Sequence, residues 1–143
     1  MWTFEITTGR LFRPDGTLSG TGYAGGDCGK RPDAINNPAD EAIVDVGPLP
    51  EGLYEFGAVV RNTHLGPVAV QLILKNLSPS APHGSEKRGG FYLHLDTKIP
   101  RQASEGCIVQ PLATINEVIA SSDKALWVVA PLMTISKAAC VIN

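Results

Sequence analysis

No stretch of this sequence approaches the ~20 apolar residues needed to cross a bilayer, and Lys and Arg never run beyond a pair. The first absence excludes a helical membrane span. The second removes the basic stripe of a nucleic-acid-binding protein, and the formal net charge of −2 agrees. Charged residues are scarce at 18%, against a usual ~25%. Cysteines number three, Cys28, Cys107 and Cys140. An odd count allows at most one intramolecular disulfide. No C-x-x-C pair occurs, and His64, His83 and His94 lack ligand spacing, so no metal and no other cofactor is expected. Met1–Glu5 has neither a basic n-region nor an apolar h-region. No secretory signal peptide is therefore expected; the protein either stays in the cytoplasm or is exported by another machine.

What the sequence has in excess is Gly and Pro. There are 15 and 11 of them, about 18% of 143 residues against a usual ~12%. No collagen period accompanies them, so they read as many turns between short strands. The length fits one domain, residues 1–143, large enough for a real core. The apolar fraction of 43% argues against intrinsic disorder.

Trp2 to Thr7 alternates at period two, as a half-buried strand does. Thr8-Gly9 and Pro14-Asp15-Gly16 are turn signals, so the start reads as an antiparallel meander whose third strand covers Thr17 to Tyr23. Residues 24–40 form the longest irregular segment, and loops of that length are often functional. Leu53 to Val60, Val68 to Leu74, Phe91 to Leu95, Cys107 to Val109 and Ala125 to Ala130 read as strands. Leu112, Ile115, Val118 and Ile119 carry helical spacing. The expected fold is mainly β, a sandwich or barrel of short strands with one short helix.

The chemistry concentrates in two blocks, Arg88-Gly-Gly-Phe-Tyr-Leu-His94-Leu-Asp96 and Ala103-Ser104-Glu105-Gly106-Cys107-Ile108. If the strands at His94 and Cys107 pair antiparallel, the linking loop returns the thiol beside the imidazole. A free thiol ionises only near pH 8.5, so an imidazole within hydrogen-bond reach is what would make it nucleophilic. The ring could then protonate a leaving amine. Gly106 permits a sharp bend, and the N–H groups of Gly106 and Cys107 are candidate oxyanion donors. The Ser104 hydroxyl could orient the imidazole or the substrate. A buried, inert Cys107 is the alternative on these residues alone.

The Ser104-Glu-Gly-Cys107-Ile turn after an aromatic-flanked His strand resembles the catalytic motif of the L,D-transpeptidases. The chain more closely resembles the L,D-transpeptidase-like effectors of the type VI secretion system. Their opening Trp-x-Phe/Tyr strand with a Thr-Gly turn is similar to residues 2–11, their Gly-Tyr-Ser-Gly step to Gly22–Gly25, and their Gly-Pro-Ile-Pro-x-Gly-x-Tyr to Gly47–Tyr54. A His-x-Gly-Pro stands at His64–Pro67. The Arg-x-Gly-Phe-x-Ile-His-Gly-Asp and Ala-Ser-x-Gly-Cys-Ile blocks match Arg88–Asp96 and Ala103–Ile108. Leu95 replaces the Gly after the His. Glu105 stands where many L,D-transpeptidases carry His, and Gln110 where Arg is common.

The resemblance implies an L,D-transpeptidase-like fold and a cysteine enzyme acting on the tetrapeptide stems of peptidoglycan. Cys107 would attack the carbonyl of the third stem residue and D-Ala would leave. Water, a free D-amino acid or another stem amine would resolve the thioester. It implies Cys107, His94, Ser104 and Gly106 as the catalytic set. Tyr23, His64, Arg88 and Glu105 would face the substrate, with Arg88 gripping a stem carboxylate bidentately. Asp96 would bind substrate or fix the catalytic loop. It also implies delivery to the periplasm of a target bacterium, secretion-system partners and an immunity protein. Cys28 and Cys140 could pair there. A Cys/His endopeptidase and a non-catalytic wall-binding module are the competing readings.

Overall fold

The computed structural model describes residues 1–131. Cys140, and with it the expected Cys28–Cys140 pairing, lies outside the described residues. The protein is mainly β. Among the described residues nine strands form one sheet: β1 Trp2–Glu5, β2 Arg10–Phe12, β3 Leu18–Thr21, β4 Tyr23–Ala24, β5 Gly52–Thr63, β6 Gly66–Leu77, β7 Phe91–His94, β8 Ile108–Val109 and β9 Ala125–Val129. Among the described residues there is one α-helix, α1 Leu112–Ala120. It is far too short to cross a membrane.

The order across the sheet is β3-β2-β1-β9-β5-β6-β7-β8-β4. Its two edge strands are consecutive in sequence, separated only by Gly22. The sheet therefore curls until its ends meet. The expected third strand, Thr17 to Tyr23, is correspondingly split, with β3 pairing β2 and β4 pairing β8. Gly22 makes the join possible. Its N–H donates to Gly9 O at 2.8 Å, and a Cβ there would fall 1.8 Å from Val109 O.

Alternation supplies the core. Trp2 and Phe4 of β1, Tyr54 and Phe56 of β5, Leu93 of β7 and Leu126 and Val128 of β9 point inward, and Ile115 and Val118 of α1 join them. Each such side chain contributes roughly 1.5–3 kcal/mol on burial. Two polar ties fix α1 against this layer. Arg13 donates to both carboxylate oxygens of Glu117, at 2.6 and 2.9 Å. Lys124 Nζ donates to the carbonyls of Val118 and Ile119 in the last turn, where a cation suits the helix dipole.

The pairing of β7 and β8 departs from the expectation. It is parallel, with Leu93 opposite Ile108 and His94 opposite Val109. A parallel pair needs a crossover rather than a hairpin, and residues 95–107 supply it. The turn that carries Cys107 thus re-enters at the start of β7, and Cys107 aligns with Tyr92 rather than with His94.

Candidate active site

Period-two alternation puts Tyr92 and His94 on one face of β7, with Phe91 and Leu93 in the core. On the neighbouring chain Ile108 is core, so Cys107 turns to the face that carries Tyr92 and His94. All three line a cavity of about 880 Å³. Cys28, from the irregular segment 24–40, lines it too, as do Val44 and Asp45 from the chain that follows. The tip of the β5–β6 hairpin brings His64 to the rim.

His94 is 3% exposed. Its Nδ1 lies 2.7 Å from the Leu95 carbonyl. A carbonyl can only accept, so Nδ1 carries the proton and Nε2 is left with its lone pair. Nε2 is buried and has no hydrogen-bond partner among the described residues. Burial pushes the imidazole pKa below its ordinary value, and nearby His64 pushes the same way, against the Leu95 contact and Asp96. The ring is therefore a neutral base near pH 7.

Cys107 Sγ accepts a hydrogen bond from Tyr92 N–H at 3.3 Å. Burial raises the thiol pKa, Tyr92 N–H opposes the rise, and Glu105 reinforces it. Both members of the pair are thus uncharged at rest. A neutral thiol and a neutral imidazole share one cavity, with no hydrogen bond between them among the described residues.

The turn before Cys107 is built differently from the expectation. Ser104 reaches neither the imidazole nor the cavity. Its buried Oγ accepts from Gly25 N–H at 2.9 Å and Gly106 N–H at 3.0 Å, and donates to Cys107 O at 2.7 Å. It ties the turn to β4, a structural role. The Gly106 N–H is consequently spent and is not an oxyanion donor, which leaves the N–H of Cys107. Gly106 itself is required, because its φ is +145° and a Cβ would lie 2.6 Å from Arg88 Nη2.

Arg88 and Tyr23 spend their polar groups inside the protein. Arg88 borders the cavity but is only 8% exposed, and its guanidinium donates to main-chain carbonyls. Tyr23 is buried; its hydroxyl donates to Asp96 Oδ1 at 2.6 Å and accepts from Ala103 N–H at 2.9 Å. Burial, and then the bond to Asp96, raise the phenol pKa, so the hydroxyl stays protonated. Asp96 also accepts from the N–H groups of Thr97 and Arg101. It fixes the crossover that delivers Cys107, the second of its two expected roles. His64 and Glu105 line the cavity as well. The Glu105 carboxylate accepts from Cys28 Sγ at 3.5 Å.

Two participants escaped the sequence reading. Tyr92 supplies the N–H on the sulfur; its place beside His94 in an alternating strand is the signal that could have found it. Glu41 is fully buried behind the cavity wall, and nothing local in the sequence marks it. Its Oε1 accepts from Glu51 N–H at 2.5 Å, and Oε2 has no partner among the described residues. Burial first, then the neighbouring Glu51 carboxyl, push its pKa up to about 9, while the Glu51 N–H and Arg88 oppose.

A raised carboxyl pKa means that the folded state holds a proton the unfolded chain releases. The stabilisation is full below about pH 4.5 and is lost as pH rises toward about 9. Glu41→Gln keeps the neutral shape. It should match the wild type in melting temperature at pH 4.5. It should then exceed it increasingly toward pH 8.5, by up to about 1.4 kcal/mol per pH unit. Parallel melting curves at every pH would refute a protonated Glu41.

No family model matches the chain, and no curated protein matches it either.

Proposed function

We propose that the chain is a cysteine L,D-carboxypeptidase or L,D-transpeptidase of peptidoglycan stems, related to the L,D-transpeptidase-like type VI secretion effectors and acting in the periplasm of a target cell. The observation that carries the enzymatic part is the unpartnered, buried Nε2 of His94 in one cavity with the Cys107 thiol. A buried lone pair without a donor costs stability, and here it is left free to accept a proton inside the cavity. The resemblance of the two blocks to the effector family supplies the substrate.

Nε2 takes the thiol proton as Sγ attacks the carbonyl carbon of the third stem residue. The carbonyl oxygen becomes an oxyanion beside the Cys107 N–H. The imidazolium then protonates the amine of the departing D-Ala, the C–N bond breaks, and a thioester remains. Water attacking through the same base gives a tripeptide. A D-amino acid gives an exchanged stem, and a neighbouring stem amine gives a cross-link. His64 and Glu105 are the side chains available to contact the stem.

Mass analysis of tetrapeptide muropeptides incubated with the purified protein tests this, with and without a free D-amino acid. Loss of D-Ala is expected, and replacement of D-Ala when the amine is present. Intact muropeptides with cleavage of casein would favour the endopeptidase, and sacculus binding without turnover the wall-binding module.

A further inference from the structure

The guanidinium of Arg88 is buried without a carboxylate ion pair among the described residues. Main-chain oxygens surround it instead. Nη1 donates to the carbonyls of Glu41, Gly47 and Pro48 at 3.0, 3.0 and 2.8 Å. Nη2 donates to the carbonyl of Glu105 at 2.9 Å. The Phe91 ring lies beneath, 5.2 Å from Cζ. A buried cation is expensive, and four carbonyls on one planar fork are a specific way to satisfy it.

The two sets of carbonyls belong to different pieces of chain. Glu41 to Pro48 is a strap along the cavity wall, and Glu105 opens the nucleophile turn. The strap holds that turn a second time, since Leu49 N–H donates to Gly106 O at 3.0 Å. Gly106 O and Cys107 N–H sit on one rigid peptide plane. Whatever fixes that oxygen therefore fixes the direction of the N–H. Arg88 does so twice: through Glu105 O directly, and by seating Pro48 next to Leu49. The same packing explains why residue 106 cannot carry a side chain.

We propose that Arg88 is a positioning residue whose guanidinium locks the Glu41–Pro48 strap onto the nucleophile turn and so aims the Cys107 N–H at the oxyanion. This rests on the acyl-transfer reading of the site, but its test need not use a peptidoglycan stem. Acylation of Cys107 by p-nitrophenyl acetate passes through an oxyanion. Alkylation by iodoacetamide does not, and serves as the internal control.

Arg88→Ala should slow acylation by on the order of 10²-fold while changing alkylation by less than about threefold, and millimolar guanidinium chloride should restore part of the loss. Arg88→Lys keeps the charge and most of the stem, and covers the case in which the alanine variant does not fold. One ammonium cannot span four carbonyls, so it too should lose acylation selectively. Both variants are compared well below their melting temperatures. If acylation and alkylation fall together, or if neither falls, Arg88 is only a structural residue. If the wild type acylates but leaves stems intact, the substrate assignment fails and this one stands.

Discussion

Replacing Cys107 by serine should reduce D-alanine release from a tetrapeptide stem by on the order of 10⁴-fold or more. That corresponds to about 5 kcal/mol of lost transition-state stabilisation. The fold should be untouched, since the hydroxyl can keep the acceptor role toward Tyr92 N–H and Sγ is not part of the core cluster. The loss is large because His94 is a weak base. Burial lowers its affinity for a proton, so it can share a thiol's proton but not that of a far less acidic hydroxyl. Cys107→Ala should do the same, with a slightly lower melting temperature because Tyr92 N–H loses its acceptor. A serine variant that keeps a tenth of the wild-type rate would place the nucleophile elsewhere. The one other described cysteine in the cavity wall, Cys28, is poorly suited. Burial and its bond to Glu105 both raise its thiol pKa, and its Sγ donates to the Glu105 carboxylate.

Much of this was legible in the sequence because it is local. The alternation Trp2-Thr-Phe-Glu is β1, and the Leu112/Ile115/Val118 spacing is α1 almost to the residue. Side-chain period alone decides both. Arg13 to Thr17 is a turn closed by Arg13 N–H on Thr17 O, as Pro14-Asp15-Gly16 requires. Pairings between distant segments were not legible. Whether β7 and β8 run parallel depends on how residues 95–107 cross, and that is held by Asp96 bonding to Tyr23, Thr97 and Arg101. No spacing rule reports those bonds.

The same limit explains the candidate site. Cys107 and His94 were found from residue type and neighbourhood, and the structure brings both to one cavity. The expectation for Ser104 is to orient the imidazole or the substrate, and the resemblance implies that Tyr23 and Arg88 face the substrate. Each instead satisfies main-chain groups or a neighbouring side chain. The Gly- and Pro-rich stretches make few regular ladders, so buried N–H and C=O groups accumulate there and must find side-chain partners. A turn-rich chain with few charges therefore spends polar side chains inside.

His94→Gln should lower kcat by about 10³-fold and, more tellingly, change the shape of the pH profile. In the wild type the competent form has a neutral imidazole and a protonated thiol. Burial lowers the first pKa and raises the second. Activity should thus rise through a midpoint below the ordinary imidazole value of about 6.5, then stay level across neutrality until the thiol ionises above its ordinary ~8.5. Without the imidazole, only the rare thiolate reacts, and the residual rate should climb with pH through the whole neutral range with no acid limb. Iodoacetamide provides a check free of any substrate. A standing thiolate–imidazolium pair would be alkylated at a constant rate from about pH 5 upward. The neutral pair described by the Tyr92, Leu95 and burial contacts should instead be slow at pH 5 and quicken steadily with alkali. An acid-side plateau in the wild type would overturn the general-base assignment and require the proton to sit on Nε2 before substrate arrives.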